Sequence, residues 1–212
     1  RGPAAGYSLS ASAEQVLRSG DERIFSRRDA RLADGWVLAV FSVPESERAK
    51  RHMLRSRLSW LGFGTTAPGV WIAPAYVAAE ALATVDRLGL TDYVDLFSAH
   101  YLGFADPASS VGHWWDLAGL AARYRDFIAA TDPVRAAWVS APEGAAADRA
   151  AFADHVRSLT AWRRIRYLDP GLPVELLPAD WPGTRAGELF FELHEQLSGP
   201  AFRHVQRAHA VS

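Results

Sequence analysis

Hydrophobic positions along the chain fall into two regimes. From Trp36 to about Leu102 short apolar runs alternate with helical stripes, and after Asp106-Pro107 only helical spacing remains. The run Trp36-Val37-Leu38-Ala39-Val40-Phe41 is continuously apolar, which predicts a central strand covered on both faces. Pro44 and Glu45 suit the first turn of a helix, where a missing N–H and a negative charge are both accommodated. Leu54, Leu58 and Leu61 then form one buried stripe at i, i+4 and i+7, with Arg48, Arg51 and Arg55 on a different face. Gly62, Gly64, Pro68 and Gly69 punctuate a hairpin whose strands are 63–66 and 70–72. A second helix is expected from Tyr76 to Leu88, with Ala78, Leu82 and Val85 inward and Gly89 at its C′ position. Tyr93 to Leu102 reads as a closing strand. The order β-α-β-β-α-β predicts a ferredoxin-like sheet with two helices on one face.

The remainder predicts an all-α unit, which makes the fold class α+β. Trp114, Leu117, Ala121, Tyr124 and Ile128 mark one helix face, ended by Asp132-Pro133. A turn at Glu143-Gly144-Ala145-Ala146-Ala147 leads to a helix carrying Phe152, Val156 and Leu159. The proline-rich segment from Asp169 to Gly183 is expected to be ordered loop, because Leu176, Leu177 and Trp181 are too apolar to float free. A last helix runs from about Thr184 to Leu197, with Leu189 and Leu193 at helical spacing and Gly199-Pro200 as its end. Residues 1–30 read as a short extended piece at 7–10, a helix begun by Ser12 and stopped by Gly20, and a linker. In that linker Arg23, Arg27, Arg28 and Arg31 mix with Asp21, Glu22 and Asp29 in the manner of a solvated segment. The expected divisions are thus 1–30, 31–106 and 107–212.

Composition narrows the functional classes. The chain has 212 residues, a net charge of −1 and no cysteine. Disulfides and thiolate metal sites are excluded, a cytoplasmic location is the expectation, and whole-molecule electrostatics do not draw the protein to nucleic acid. No apolar stretch approaches the roughly 20 residues that span a bilayer, so no membrane partner is expected.

Several blocks, in this order, resemble the PaaX-like transcriptional regulators from about residue 20 onward. They are Trp36 to Glu45, Gly62-Phe63-Gly64, Pro68 to Pro74, Asp169-Pro170-Gly171-Leu172-Pro173, Leu176-Leu177-Pro178 and Asp180-Trp181-Pro182-Gly183. The resemblance implies a middle domain similar to CRISPR-associated small nucleases, a helical C-terminal domain and a homodimer. It also implies repression of an aromatic-acid catabolic operon, relieved by an aryl-coenzyme A thioester such as phenylacetyl-CoA. Operator DNA would be read through an N-terminal winged helix. Only Gly6-Tyr7-Ser8-Leu9 looks like part of that domain, the last strand of its wing, so most of the winged helix is expected to be missing from this sequence.

An aryl-CoA offers phosphates, an adenine and an apolar acyl group, so its site should combine arginines with aromatics. Trp162-Arg163-Arg164-Ile165-Arg166-Tyr167 supplies both: Arg163, Arg164 and Arg166 for phosphates, Trp162 or Tyr167 to stack a ring. The competing reading is a solvated helix end whose cations suit the helix dipole. Arg51 and Arg55 form a second cationic candidate, against which stands an ordinary wet helix face. Trp114 and Trp115, adjacent and so unable to share a helix face, are candidates for a pocket wall or a dimer contact. Trp181 is expected to anchor its loop and Asp180 to cap the turn or the next helix. No catalytic residue, cofactor or metal set is predicted. Gly62-Phe63-Gly64-Thr65-Thr66-Ala67 matches the dinucleotide pattern but follows a helix and precedes Pro68-Gly69, and His204 and His209 are poorly spaced to share a metal. The alternative function is a metal-dependent nuclease or phosphodiesterase using Asp34, a residue that reads more readily as part of a turn.

Overall fold

A computed structural model describes residues 10–25, 30–104, 106–140 and 143–210. Of the expected extended piece at 7–10 all but Ser10 lies outside them, as do the wing residues Gly6 to Leu9 and Arg27, Arg28 and Asp29. Helix α1 (Ala11–Phe25) runs through Gly20 instead of stopping there. Arg23, expected in a solvated linker, is only 3% exposed. The linker expectation fails because this last turn packs: Ile24 enters a core with Tyr124, Phe127, Trp162, Ile165 and Phe190.

Strands β1 (Trp36–Phe41), β2 (Gly64–Ala67), β3 (Val70–Pro74) and β4 (Val94–Ala99) form one antiparallel sheet in the order β2-β3-β1-β4. With helices α2 (Arg48–Leu61) and α3 (Ala78–Arg87) between them, this is the ferredoxin-like order. Leu54, Leu58 and Leu61 of α2 pack with Val37, Ala39, Trp71 and Ala73 of the sheet. Both helices end on left-handed glycines. Gly62 has φ 94° while Phe63 N–H donates to Leu58 O at 3.0 Å; Gly89 has φ 63° while Leu90 N–H donates to Val85 O at 3.1 Å. These are Schellman closures, which only a residue without a Cβ adopts cheaply. On the inward face of α3, Val85 fills the core and Ala78 packs against it as expected, but Leu82 is exposed and Val77 and Ala81 are buried. A turn of 3-10 helix over Ala75–Val77 leads into α3.

The other face of the sheet is covered too. Trp36 and Ile72 pack against Val111 of α4 (Pro107–Trp114) and against Leu172 and Leu176 of the proline-rich loop. What reads as one helix across 114–132 is two, because Trp115 is extended (φ −130°, ψ 149°) and Asp116 caps α5 (Leu117–Trp138) by accepting Gly119 N–H at 2.9 Å.

Helices α5, α6 (Ala145–Arg166) and α7 (Pro182–Ala210) form the helical unit. Two expected stops are overrun: Pro133 lies inside α5 and Gly199-Pro200 inside α7. A proline forfeits its own hydrogen bond, and packing beyond it compensates. Past Pro133, Val134 and Trp138 pack on Ala151, Leu193 and Leu197, and the Trp138 indole donates to Asp154 at 3.0 Å. Past Pro200, Arg203 and Arg207 grip Asp148 at 2.8 and 2.6 Å.

Of the expected stripe Phe152, Val156, Leu159 along α6, only Leu159 packs against the core, half-buried. Phe152 and Val156 are exposed, whereas Asp148, Ala151, Ser158, Trp162 and Ile165 are buried. The inward polar groups are partnered, which makes their burial affordable. Asp148 meets the two arginines, His155 Nε2 and His194 Nδ1 stand 2.9 Å apart, and Ser158 Oγ donates to His155 O at 3.0 Å. No helix among the described residues is long and apolar enough to cross a membrane.

Candidate ligand cleft

The end of α6, the middle of α5, the start of α7 and the proline-rich loop enclose a cleft of about 240 Å³. Trp162 and Tyr124 form its aromatic floor with Phe191, and Trp181, Leu172, Val174 and Leu177 close it from the loop side. Two glycines at the start of α7 make the space. A Cβ on Gly183 would stand 2.4 Å from the Trp181 indole nitrogen, and one on Gly187 would face Trp162 at 3.6 Å. The loop indole therefore seats over Gly183, stacked edge-on against Tyr124 at 5.9 Å.

One buried polar cluster sits in this wall. Asp169 accepts from Tyr124 Oη at 2.5 Å, Arg166 Nη1 at 2.8 Å and the Gly171 N–H at 2.8 Å. Gly171 itself is left-handed, with φ 64°, so the carboxylate closes an Asx-type turn that starts the loop. Burial, and then the adjacent Asp169 charge, push the Tyr124 hydroxyl far above its ordinary range. Burial opposes the charge of Arg166, but Asp169, Tyr124 and Tyr76 together outweigh it and raise the guanidinium pKa. Asp169 and Tyr124 were missed as site residues by sequence reading; the only signals were a helix-face position and a turn motif.

The cleft is further tied to α1. Arg23 donates to the carbonyls of Arg166 and Tyr167 at 3.2 Å each, Arg166 Nε donates back to Arg23 O at 3.2 Å, and the Trp162 indole donates to Ile24 O at 2.9 Å. The Arg23 guanidinium lies beside the rings of Trp60 and Tyr167, at 5.4 and 5.6 Å from their centres.

The expected Arg/aromatic segment is therefore split. Trp162 and Arg166 line the cleft, but Trp162 is a core residue and the Arg166 side chain, 12% exposed, is committed to Asp169. Arg163 and Arg164 are exposed and do not line it, and Tyr167 packs on Trp60, 6.1 Å between centroids. The geometry thus brings together one aromatic and one arginine of that segment, not three arginines. Trp114 and Trp115 lie elsewhere, both against Trp36 at 6.0 and 6.1 Å. They share one cluster after all, because the helix ends between them, and the Trp115 indole donates to Gly62 O at 3.0 Å. Arg51 and Arg55 line a separate groove on the sheet domain. Trp181 packs into the cleft wall, while Asp180 projects outward, 84% exposed and 4.0 Å from Arg125, instead of capping.

Asp34, the basis of the nuclease alternative, closes a 3-10 turn by accepting Arg31 N–H at 3.1 Å. Among the described residues no group of three His, Asp or Glu side chains is placed to hold a metal ion. The cleft offers mostly apolar walls, one internally satisfied charge cluster, and Thr184 and Glu188 at the start of α7, an arrangement for holding a planar ligand by its faces.

Two family models match consecutive parts of the chain: the PaaX protein central Cas2-like domain over residues 29–111 and the PaaX-like protein C-terminal domain over 115–207. The transcriptional repressor PaaX of Escherichia coli K12 is 27% identical over 205 residues, which cover 94% of this chain and 63% of that protein. The chain thus spans under two thirds of that relative's length. Among solved structures, an uncharacterized protein from Mycobacterium tuberculosis is similar with a TM-score of 0.60 and 23% identity, covering 92% of this chain and 73% of the other, a likeness of fold. On the two domain matches together, this chain belongs to the PaaX-like family.

Proposed function

We propose that this chain is the effector-binding and dimerising body of a cytoplasmic transcriptional repressor of aromatic-acid catabolism, released from its operator by an aryl-CoA thioester. The observation that carries this reading is the aromatic-walled cleft of Tyr124, Trp162 and Trp181. At about 240 Å³ it is smaller than the roughly 300–1,000 Å³ that enclose a drug-sized ligand. It suits the aryl-acyl end, leaving the nucleotide outside the cleft. In this reading residues 31–106 and 107–212 are the middle and C-terminal domains, and residues 1–30 join them to a DNA-reading winged helix. The effector acts only through different affinities for the operator-bound and released arrangements of two protomers. The E. coli relative carries the name of a transcriptional repressor, which supports a binding protein over an enzyme.

Calorimetric titration with phenylacetyl-CoA, free CoA and phenylacetate tests this. Binding that requires the intact thioester, and that Gly187→Leu abolishes in a variant with an unchanged circular dichroism spectrum, is the expected result. A folded protein that binds no aryl-CoA thioester overturns it.

A further inference from the structure

A second set of cations lies on the sheet domain and shares no residue with the aromatic cleft. The end of β1, α2 and the β2–β3 hairpin enclose an open groove of about 560 Å³. Arg51 and Arg55, one helical turn apart, reach into it. Both heads are held in place. Arg51 donates to Val43 O at 2.6 Å and to Glu45 at 2.8 Å, and the Arg55 guanidinium lies 5.9 Å from the centre of the Trp71 ring. Ser42, Thr65 and Thr66 add hydroxyls.

Beyond the Arg55–Trp71 pair a second depression of about 440 Å³ carries His52, Ser56 and Ser59. Among the described residues no carboxylate lines either depression. Helix α2 carries Arg48, Lys50, Arg51, Arg55 and Arg57 and no acid, in a chain whose net charge is −1. Glu45 and Glu47 each engage one of these cations, Arg51 and Lys50, so a positive surplus remains on this face.

Guanidinium forks and hydroxyls match phosphate oxygens, and their spread over two adjoining depressions matches a repeating polyanion better than one ion. We infer that this surface binds the phosphodiester backbone of double-stranded DNA without regard to base sequence. It gives the protein a backbone contact within this chain, and it does not depend on what occupies the cleft.

The test is fluorescence anisotropy of this chain with a labelled 20-base-pair duplex of arbitrary sequence, over a series of salt concentrations. Binding should weaken with salt, and Arg51→Gln/Arg55→Gln should lose about tenfold in affinity and flatten the log–log salt slope by roughly two, near 0.9 per phosphate contact. Because Arg51 also bonds to the backbone, Arg55→Gln alone should lose part of the affinity, and Ser56→Arg should gain several-fold. Equal binding by wild type and Arg55→Gln, or no binding at 50 mM salt, overturns the proposal. So does a groove that binds free CoA in an Arg55-dependent way while ignoring the duplex.

Discussion

Replacing Arg23 with Met tests whether the end of α1 is part of the helical core. The substitution keeps an unbranched stem while removing the guanidinium. Two charge-assisted hydrogen bonds to the last carbonyls of α6 disappear, each worth about 1.5 kcal/mol at this length, the low end for a charged donor. Contacts with the Trp60 and Tyr167 rings add about 0.5 kcal/mol each. Arg166 and Tyr167 are only half-buried, so water recovers part of what their carbonyls lose, and the expected cost is about 3 kcal/mol. Urea denaturation followed by tryptophan fluorescence should show the midpoint falling by about 1 M with the slope unchanged. Arg23→Lys should rescue only in part, since one ammonium cannot fork to both carbonyls. A midpoint shift below about 0.2 M would show that α1 hangs from the body as a solvated linker, and the packing argument would be refuted.

Tyr124→Phe keeps the ring but removes a donor to Asp169, which retains Arg166 and Gly171; chemical denaturation should report a loss of about 1.5 kcal/mol. Burial lowers the pKa of both His155 and His194, with the neighbouring imidazole also contributing at His155. The unfolded chain therefore takes up protons first, and stability should be level above about pH 6.5 and decline from there toward pH 5. Thermal melts across that range should show the decline, and His194→Gln should flatten it; an unchanged profile in the variant assigns the acid limb to other groups. Pro200→Ala restores an N–H in mid-helix and should raise stability by about 1 kcal/mol, read as a melting temperature higher by about 3 °C. Asp180→Ala should stay within about 0.5 kcal/mol of wild type, given the exposure of that carboxylate.

The sheet domain was legible because its signals are local. An unbroken apolar run made β1, and glycines with positive φ ended α2 and α3. The helical unit was less so, because its decisive interactions are distant in sequence. Pro133 and Gly199-Pro200 read as stops, yet Trp138 with Asp154 and Arg203 with Asp148 carry the helices past them. Along α6 hydropathy favours Phe152 and Val156, and only the partners on α7 reveal why Asp148 and His155 turn inward instead. The same holds at the cleft. Trp162 and Arg166 were visible as a cationic aromatic segment, but their separation from Arg163 and Arg164 follows from helical phase, and Asp169 acquires its role from a tyrosine 45 residues away.

The reciprocal stitching of Arg23 to Arg166 makes α1 a lever. Its fulcrum is the pair of residues, Trp162 and Arg166, that also form the cleft wall. From Ala11 to Arg23 the arm is about 18 Å long at 1.5 Å per residue. A tilt of about 10° at the fulcrum therefore sweeps the far end of α1 through about 3 Å, close to one residue of extended chain. A displacement at the cleft too small to disturb the core is thereby magnified at the point where the chain continues toward its N-terminus.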